Sequence, residues 1–542
     1  MQGLMQDYQL TVPSMLDHAA TNHGERTMVT RSVEGPLRRY TYRDLRQRAL
    51  RVARTLKQEG VGTGDRIATM AWNTDRHLEA WYGIMGIGAV CHTVNPRLFA
   101  EQLVYIINHA RDRLLFVDLS FVPVVEAIAE RLPTVRKYIV LTEDAHMPET
   151  SLPGAVAYET WLGDIDPGFT WENFDENTAA GLCYTSGTTG NPKGVLYSHR
   201  SNVLHSIMCT QPDVLGFRST DNFLAVVPMF HANAWGTVFS VPMVGGSLVL
   251  PGAGMDGESL YELLENEKVT SSAAVPTVWL GLLQYMEENG LRLNHLKRVM
   301  IGGAALPRMM IEKLENEYAV EVFHGWGMTE MSPIGSTGAF KHATMGLEGE
   351  ERIQLMLKQG RPPYMVEMKV VDDNGSELPR DGNSSGHLLV RGPAIARAYY
   401  RADEVAVDED NWFDTGDIAN IDELGYMQIT DRDKDVIKSG GEWISSIEVE
   451  NAALGCDGVA EAAVIGIAHP KWGERPLLVI VRKPGARVGA DEVLAYLEGK
   501  IADWWMPNAV EFVDEIPHTA TGKMKKTALR EQFADYEFQP RD

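Results

Sequence analysis

The sequence predicts an α/β protein whose large N-terminal part is built on parallel-type sheets, with a smaller α+β unit at its C-terminal end. Three observations carry this. Short apolar runs alternate with amphipathic helical stretches from Thr41 to about Ile301, the pattern of strands joined by crossover helices. After about Gly360 the chain changes to β-runs separated by Gly/Asp/Asn turns, a hairpin-rich region. A charged run, Asp431-Arg432-Asp433-Lys434-Asp435, then precedes a new set of alternating elements.

Each element follows from local pattern. Thr41 caps a helix whose apolar stripe is Leu45, Ala49, Val52, Ala53 and Leu56, and Gly60 stops it. Ile67–Met70, Leu114–Val117, Tyr138–Leu141, Ala179–Cys183, Phe223–Val227, Ser247–Leu250, Ser271–Val275, Arg298–Ile301 and Val320–Phe323 read as buried strands. Met368–Val371, His387–Val390 and Tyr426–Ile429 form the β-rich part. In the last unit, Ala463–Ile467, Leu477–Val481 and Val510–Val513 read as strands, with a helix near Asp491–Asp503. The resulting division is 1–430, a boundary at 431–435, and 436–542.

Composition narrows the function. The chain has 542 residues, 44% hydrophobic, with net charge −24. Several domains fit that length, and the acidic balance argues against nucleic acid as a main partner. Lys523-Met524-Lys525-Lys526 is the nearest thing to a basic cluster. Four scattered cysteines suit a reducing compartment. The N-terminus has neither a basic start nor an apolar core, so a cytoplasmic location is expected. The most apolar region, Phe223–Leu250, is broken by Pro228, His231, Asn233 and Pro242, which suits a buried core with a lined cavity.

The chemistry starts at Tyr184–Gly194. This stretch packs hydroxyls, glycines and a lysine into a loop after an apolar strand. Glycines let backbone N–H groups approach a polyanion, hydroxyls donate to phosphate oxygens, and Lys193 adds charge. Pro192 before Lys193 sets it apart from the common Gly-Lys-Ser/Thr loop. The composition alone also suits a flexible surface loop. Then His324–Glu330 follows an apolar strand. It offers Trp326 as a flat face for a purine, Thr329 as a hydroxyl and Glu330 as a hard oxygen for Mg²⁺. Phe413–Asp417 places a carboxylate after a glycine turn, suited to two ribose hydroxyls. Lys523 sits on a turn near the C-terminus. Gly382–Gly386 matches the esterase nucleophile pattern but lies in a polar turn region, not at a strand-to-helix bend.

Together these pieces resemble the acyl-adenylate-forming enzymes: acyl-CoA synthetases, beetle luciferases and peptide-synthetase adenylation domains. The matching segments are YTSGTTGNPKG (184–194), VPMFHANAWG (227–236), GGAALP (302–307), GWGMTE (325–330), DTGD (414–417), DRDKDVIKSGGEWIS (431–445) and PHTATGKMKK (517–526). The resemblance implies that 431–435 is a hinge about Lys434 and that the C-terminal domain is mobile. It places ATP at Thr185, Ser186, Gly187, Thr188, Thr189, Gly190, Lys193 and Thr329, with Gly303, Ala304, Gly325 and Trp326 around adenine. It assigns Asp417 and Arg432 to ribose, with Lys438 also on the nucleotide side, and Thr185 and Glu330 to Mg²⁺. Lys523 resembles the adenylation lysine, and His231 the gate beside the carboxylate; from the residues alone, His231 reads rather as a core histidine. The acid would lie among His231, Trp235, Gly302 and Pro333. Coenzyme A would meet Gly440, Gly441, Trp443, Glu474 and Lys525.

The implied reaction is ATP-dependent: acid and ATP give acyl-AMP and pyrophosphate, and a thiol, expected to be coenzyme A, then displaces AMP. CHTVNPRL (91–98) and KSGGEWISS (438–446) fit the branch that activates medium-chain fatty acids and 3-methylmercaptopropionate. The acid is expected to be a short to medium aliphatic monocarboxylate. Alternatives are a long-chain fatty acid, a luciferase-like use of the adenylate, or a sensor. The resemblance also implies a homodimer.

Overall fold

The computed structural model describes residues 1, 3–163, 168–185, 191–433, 435–439, 442–518 and 524–538, with residues 442 and 443 described in backbone only. Four sheets organise it. In the seven-stranded sheet the strand order is Val156–Ala157, Lys137–Val140, Leu114–Val117, Arg66–Met70, Val90–Thr93, Ala179–Tyr184, Gly194–Ser198. All of its pairings are parallel except the last. The eight-stranded sheet runs Ile334–Thr337, Glu321–Gly327, Arg298–Gly302, Ser271–Ala274, Asn222–Leu224, Ser247–Leu250, Thr27–Arg31, Leu37–Thr41, antiparallel only at its two edges.

Period-two alternation explains the layering. Leu114 and Phe116 enter the core between the two large sheets, while Leu115 and Val117 enter an outer core. The shared core also takes Phe223, Leu248, Ala273 and Met300 from the eight-stranded sheet, and Leu45, Ala49, Val52, Ala53 and Leu56 from the helix Tyr42–Gln58. That helix begins as its sequence dictates: Thr41 Oγ1 accepts from Asp44 N (3.2 Å) and Thr41 N donates to the Asp44 carboxylate (2.9 Å). Among the described residues, no helix is long and apolar enough to cross a membrane.

The β-rich part is a four-stranded antiparallel sheet, Glu367–Val371, Gly386–Arg391, Phe413–Ile421, Met427–Arg432. The C-terminal domain has a five-stranded sheet around the long hairpin Val459–His469 and Gly473–Arg482. One apolar cluster with the helices Ser446–Leu454 and Ala490–Leu497 packs against it, and a second with Lys526–Gln532.

Four local expectations change. The strand expected over Phe223–Val227 ends at Leu224, because the Asn73 amide takes the carbonyls of Ala225 (2.6 Å) and Val227 (2.8 Å). The strand expected to stop at Phe323 continues to Gly327, because Ile334–Thr337 turns back and pairs with it. Asp414–Asp417 is no turn but a bulge inside the strand Phe413–Ile421, with Gly416 at φ +68. The helix expected over Asp491–Asp503 is shorter, Ala490–Leu497, and Gly499 follows in the left-handed region.

Candidate active site

The C-terminal ends of parallel strands from both large sheets open on one cavity of about 470 Å³, the usual place for ligands in such sheets. Thr185, at the end of Ala179–Tyr184, lines it, and Thr185 N donates to Lys193 O (2.9 Å), closing the neck of the loop. Ser186, Gly187, Thr188, Thr189 and Gly190 lie outside the described residues. Lys193 is exposed, and its ammonium stands 4.7 Å from the centre of the Tyr399 ring. Gly194 leaves little room for a side chain: a Cβ there would lie 3.1 Å from Leu182 and 3.2 Å from the Tyr184 ring, which would have to give way.

From the other sheet come Gly302 and Gly303, then Gly325, Trp326, Gly327, Thr329 and Glu330, all lining the cavity. Ala304 does not line it. Gly325 and Gly302 sit side by side in register. A Cβ on Gly302 would meet Gly325 O at 2.6 Å and the Trp235 ring at 3.3 Å. Close approach of backbone and indole therefore requires glycine here.

Asp417 differs from expectation in its placement. It is 2% exposed and stands behind the wall formed by Asp414, Thr415 and Gly416. Its Oδ2 accepts from Trp326 Nε1 (2.9 Å) and its Oδ1 pairs with Arg432 Nε (2.7 Å). It thereby holds two side chains that do line the cavity.

Glu330 is 6% exposed and accepts from the Tyr399 hydroxyl at 2.7 Å. No ion pair neutralises it among the described residues. Thr185 and Glu330 thus present a hydroxyl and a carboxylate, both hard oxygens, to one cavity. Among the described residues there is no cluster of three or more His, Cys, Asp or Glu for a metal ion, so the set suits a hard divalent cation that takes its other ligands from phosphate and water.

His231 lines the cavity just before a feature the sequence did not signal. Ala232, Asn233, Ala234 and Trp235 all adopt left-handed φ values, from 43° to 55°, and Gly236 follows at 72°. Each non-glycine residue there costs roughly 1–2 kcal/mol. The turn is held by Thr237 Oγ1 on Ala234 O (2.7 Å), Ser240 Oγ on Gly236 O (2.8 Å) and Asn233 Nδ2 on Asn202 Oδ1 (3.2 Å). It lays Trp235 against Gly302 and Gly303. Leu98, Phe230, Met300, Pro333 and Ile334 complete an apolar wall, with Asn95 and Ser336.

The C-terminal domain contributes Met524, Lys525, Lys526 and Thr527 to the rim. Lys523, Lys434, Gly440, Gly441 and the Trp443 side chain lie outside the described residues. Lys438 and Glu474 do not line the cavity; the Lys438 N–H donates to Glu474 Oε2 at 3.0 Å. Lys526 corrects the basic-cluster reading. It is 8% exposed, pairs with Glu450 (2.7 Å) and donates to Ser446 Oγ. Burial pulls its pKa down, but Glu450 and Asp431 outweigh that and hold it above the ordinary lysine value. Burial pushes Glu450 up to about 7. The sequence reading misses Asn95, Leu98, Met300, Tyr399 and Lys526 as cavity residues. Met300 lies two residues before Gly302 on the strand Arg298–Gly302 and Lys526 directly follows Lys525, so strand period and adjacency could have found them. Tyr399 carries no such signal and reaches the site from a connection distant in the chain.

The AMP-binding enzyme family matches residues 16–400, and its C-terminal domain matches 448–523. The chain is 46% identical to a medium-chain-fatty-acid–CoA ligase of Ectopseudomonas oleovorans, over 99% of this chain and 98% of that one. It is 47% identical to a 3-methylmercaptopropionyl-CoA ligase of Ruegeria pomeroyi, over 99% of each. The crystal structure of the anthranilate CoA ligase AuaEII in complex with anthranoyl-AMP superposes with a TM-score of 0.87 at 26% identity, covering 98% of this chain and all of that one. With motifs, fold and relatives in agreement along nearly its whole length, this chain belongs to the AMP-binding enzyme family, on its acyl-CoA ligase branch.

Proposed function

We propose that the protein converts a short- to medium-chain aliphatic monocarboxylic acid, with 3-methylmercaptopropionate among the candidates, to its coenzyme A thioester through an acyl-adenylate. The single observation that carries this is the shared cavity. There Thr185, Trp326, Glu330 and Arg432 meet the apolar wall of Phe230, Trp235, Met300 and Ile334. A carboxylate attacking the α-phosphate brings anion to anion, so the site has to offset charge. The cationic side chains on the cavity lining, Arg432, Lys525 and Lys526, all come from residue 432 onward. An acid with a second charged group would find no cation among Leu98, Phe230, Trp235, Met300 and Ile334, which favours a plain aliphatic chain. A thioether is nearly isosteric with a methylene, so such a wall separates the two by only about 1–3 kcal/mol. The names of the two relatives support the same pair of substrates.

In this reading His231 and Trp235 bracket the carboxylate and Trp326 stacks on adenine. The Asp417–Arg432 pair orients ribose, and the 185–193 loop cradles the phosphates. Thr185 and Glu330 would hold Mg²⁺, which supplies neutralising charge on the phosphates when bound. Lys523 serves adenylation, and the C-terminal domain then turns about Lys434 to bring Gly440, Gly441, Trp443, Glu474 and Lys525 to coenzyme A. Lys438 serves the nucleotide side before that turn. The chain acts as a homodimer in the cytoplasm.

The test is coenzyme-A-dependent pyrophosphate release with acids from acetate to dodecanoate and 3-methylmercaptopropionate. The expected result is a kcat/KM maximum among the short and medium acids, with thioester formed in step with pyrophosphate. A maximum at dodecanoate would overturn the chain-length reading. Absence of pyrophosphate release with every acid would overturn the activity.

A further inference from the structure

The loop expected to hold the triphosphate and the carboxylate expected to hold Mg²⁺ hang from different sheets. Thr185 follows one strand of the seven-stranded sheet and Gly194 begins the next, and Glu330 follows a strand of the eight-stranded one. A third segment, 394–401, from the connection between Gly386–Arg391 and Phe413–Ile421, touches both. On the Glu330 side, Ser332 Oγ donates to Ala394 O (2.8 Å), Ala396 N to Glu330 O (2.7 Å), and the Tyr399 hydroxyl to Glu330 Oε1 (2.7 Å). On the loop side, Tyr400 N donates to Gly194 O (2.7 Å) and the Lys193 ammonium lies 4.7 Å from the Tyr399 ring centre. Arg401 anchors the far end by donating to His109 O at 2.7 Å. Tyr399 is the one side chain of this segment that meets a charged group of each loop, and it also lines the cavity.

We propose that Tyr399 is a positioning residue for nucleotide loading. Its hydroxyl fixes the Glu330 carboxylate and its ring carries the Lys193 ammonium, so one side chain spaces the anionic and cationic sides of the triphosphate cradle. This rests on the reading of Glu330 and the 185–193 loop given above. A phenol suits the task. It orients one carboxylate oxygen without neutralising it, as an arginine would, and leaves the other for a cation. The ring face attracts an ammonium without competing for its three donors. Tyr399 also packs beside Cys183, Val195 and Tyr197, so a purely structural role has to be separated from a positioning one.

Tyr399→Phe does this, because it keeps the ring and removes only the hydroxyl. Binding of α,β-methylene-ATP to the full-length protein is measured by calorimetry across a Mg²⁺ series that begins in EDTA. In Tyr399→Phe the Mg²⁺ concentration giving half of the affinity gain should rise about tenfold, the loss of one hydrogen bond to a charged group. Affinity in EDTA should stay within about twofold. Tyr399→Leu, which also removes the ring, should weaken the metal-free complex several-fold. In a Glu330→Gln background, Tyr399→Phe should have no further effect on the metal response. An unchanged Mg²⁺ half-point in Tyr399→Phe, equal losses with and without metal, or additivity with Glu330→Gln would each overturn the proposal. If the unaltered protein shows no Mg²⁺ response, the reading of Glu330 falls with it; if that response is present and Tyr399→Phe leaves it intact, the positioning role alone falls.

Discussion

His205 is 1% exposed, and its Nε2 accepts from the N–H of Ile334, a residue of the cavity wall, at 3.1 Å. Protonating that nitrogen would replace a hydrogen bond with a clash of two donors and bury the charge. Burial accordingly lowers its pKa from 6.5 to about 3. The folded state thus refuses a proton that the unfolded chain accepts below pH 6.5. Stability held above that pH is lost as the pH falls toward 3. By pH 5 this histidine alone should cost about 2 kcal/mol relative to pH 7.5. Glutamine can accept from Ile334 N in its place. The unfolding free energy of His205→Gln from urea titration should therefore fall less between pH 7.5 and 5 than that of the parent protein, by about 2 kcal/mol; parallel pH curves would refute the assignment. The residue His205 shows how little of such a role is written locally, since nothing in its neighbourhood distinguishes it from any helical histidine.

Among the elements, the return from Glu321–Gly327 to Ile334–Thr337 decides the shape of the cavity. It brings Trp326, Thr329, Glu330, Pro333 and Ile334 to one wall. The sequence indicated the strand and the motif, but not that GWG would lie inside the strand. That depends on antiparallel pairing with a segment whose own pattern is weak. Gly327 is its tightest point, where a Cβ would stand 2.1 Å from Pro333 O, whereas Gly416, also in the site, faces open space at φ +68. Gly327→Ala should destabilise by about 2–3 kcal/mol through overpacking against backbone. Gly416→Ala should cost only the left-handed φ, about 1 kcal/mol. Thermal melts of the two variants check this, and a milder loss at Gly327 than at Gly416 would contradict the geometry.

At the scale of the whole molecule, the C-terminal domain meets residues 430–435 through hydrogen bonds and an ion pair. Ser446 N donates to Asp431 Oδ2 (2.9 Å), Ser445 Oγ to Thr430 O (2.5 Å), and Arg530 pairs with Asp435 (2.7 Å). Lys526 neutralises Glu450 and Asp431 behind them. Lys526→Met strands these carboxylates and should cost about 3–5 kcal/mol, the usual penalty for half a buried pair. Adding Glu450→Gln should recover part of it, and a double variant no more stable than the single one would argue against the pair. Lys523→Ala addresses the proposed turn about Lys434. Adenylation should fall roughly 10²–10³-fold, about 3–4 kcal/mol for one preorganised charge contact. Thioester formation from supplied acyl-adenylate should fall far less. Equal losses in both half-reactions, measured by rapid quench, would count against a C-terminal domain with two working faces.

Taken alone, the sequence determined what depends on near neighbours and on strand or helix period. It specified the alternating layers, the Thr41 cap, the strands Leu114–Val117 and Ser247–Leu250, and the motif residues Thr185, Trp326 and Glu330. Tertiary structure decided what depends on segments far apart in the chain. It set Asp417 behind the wall as the holder of Trp326 and Arg432, and forced residues 232–236 into a left-handed turn that seats Trp235. It brought Tyr399 between Glu330 and Lys193, and buried Lys526 beside Glu450. These arrangements arise because hydrogen-bond and charge satisfaction is settled only when all partners are assembled. A polar residue read in isolation does not reveal which distant group will claim it.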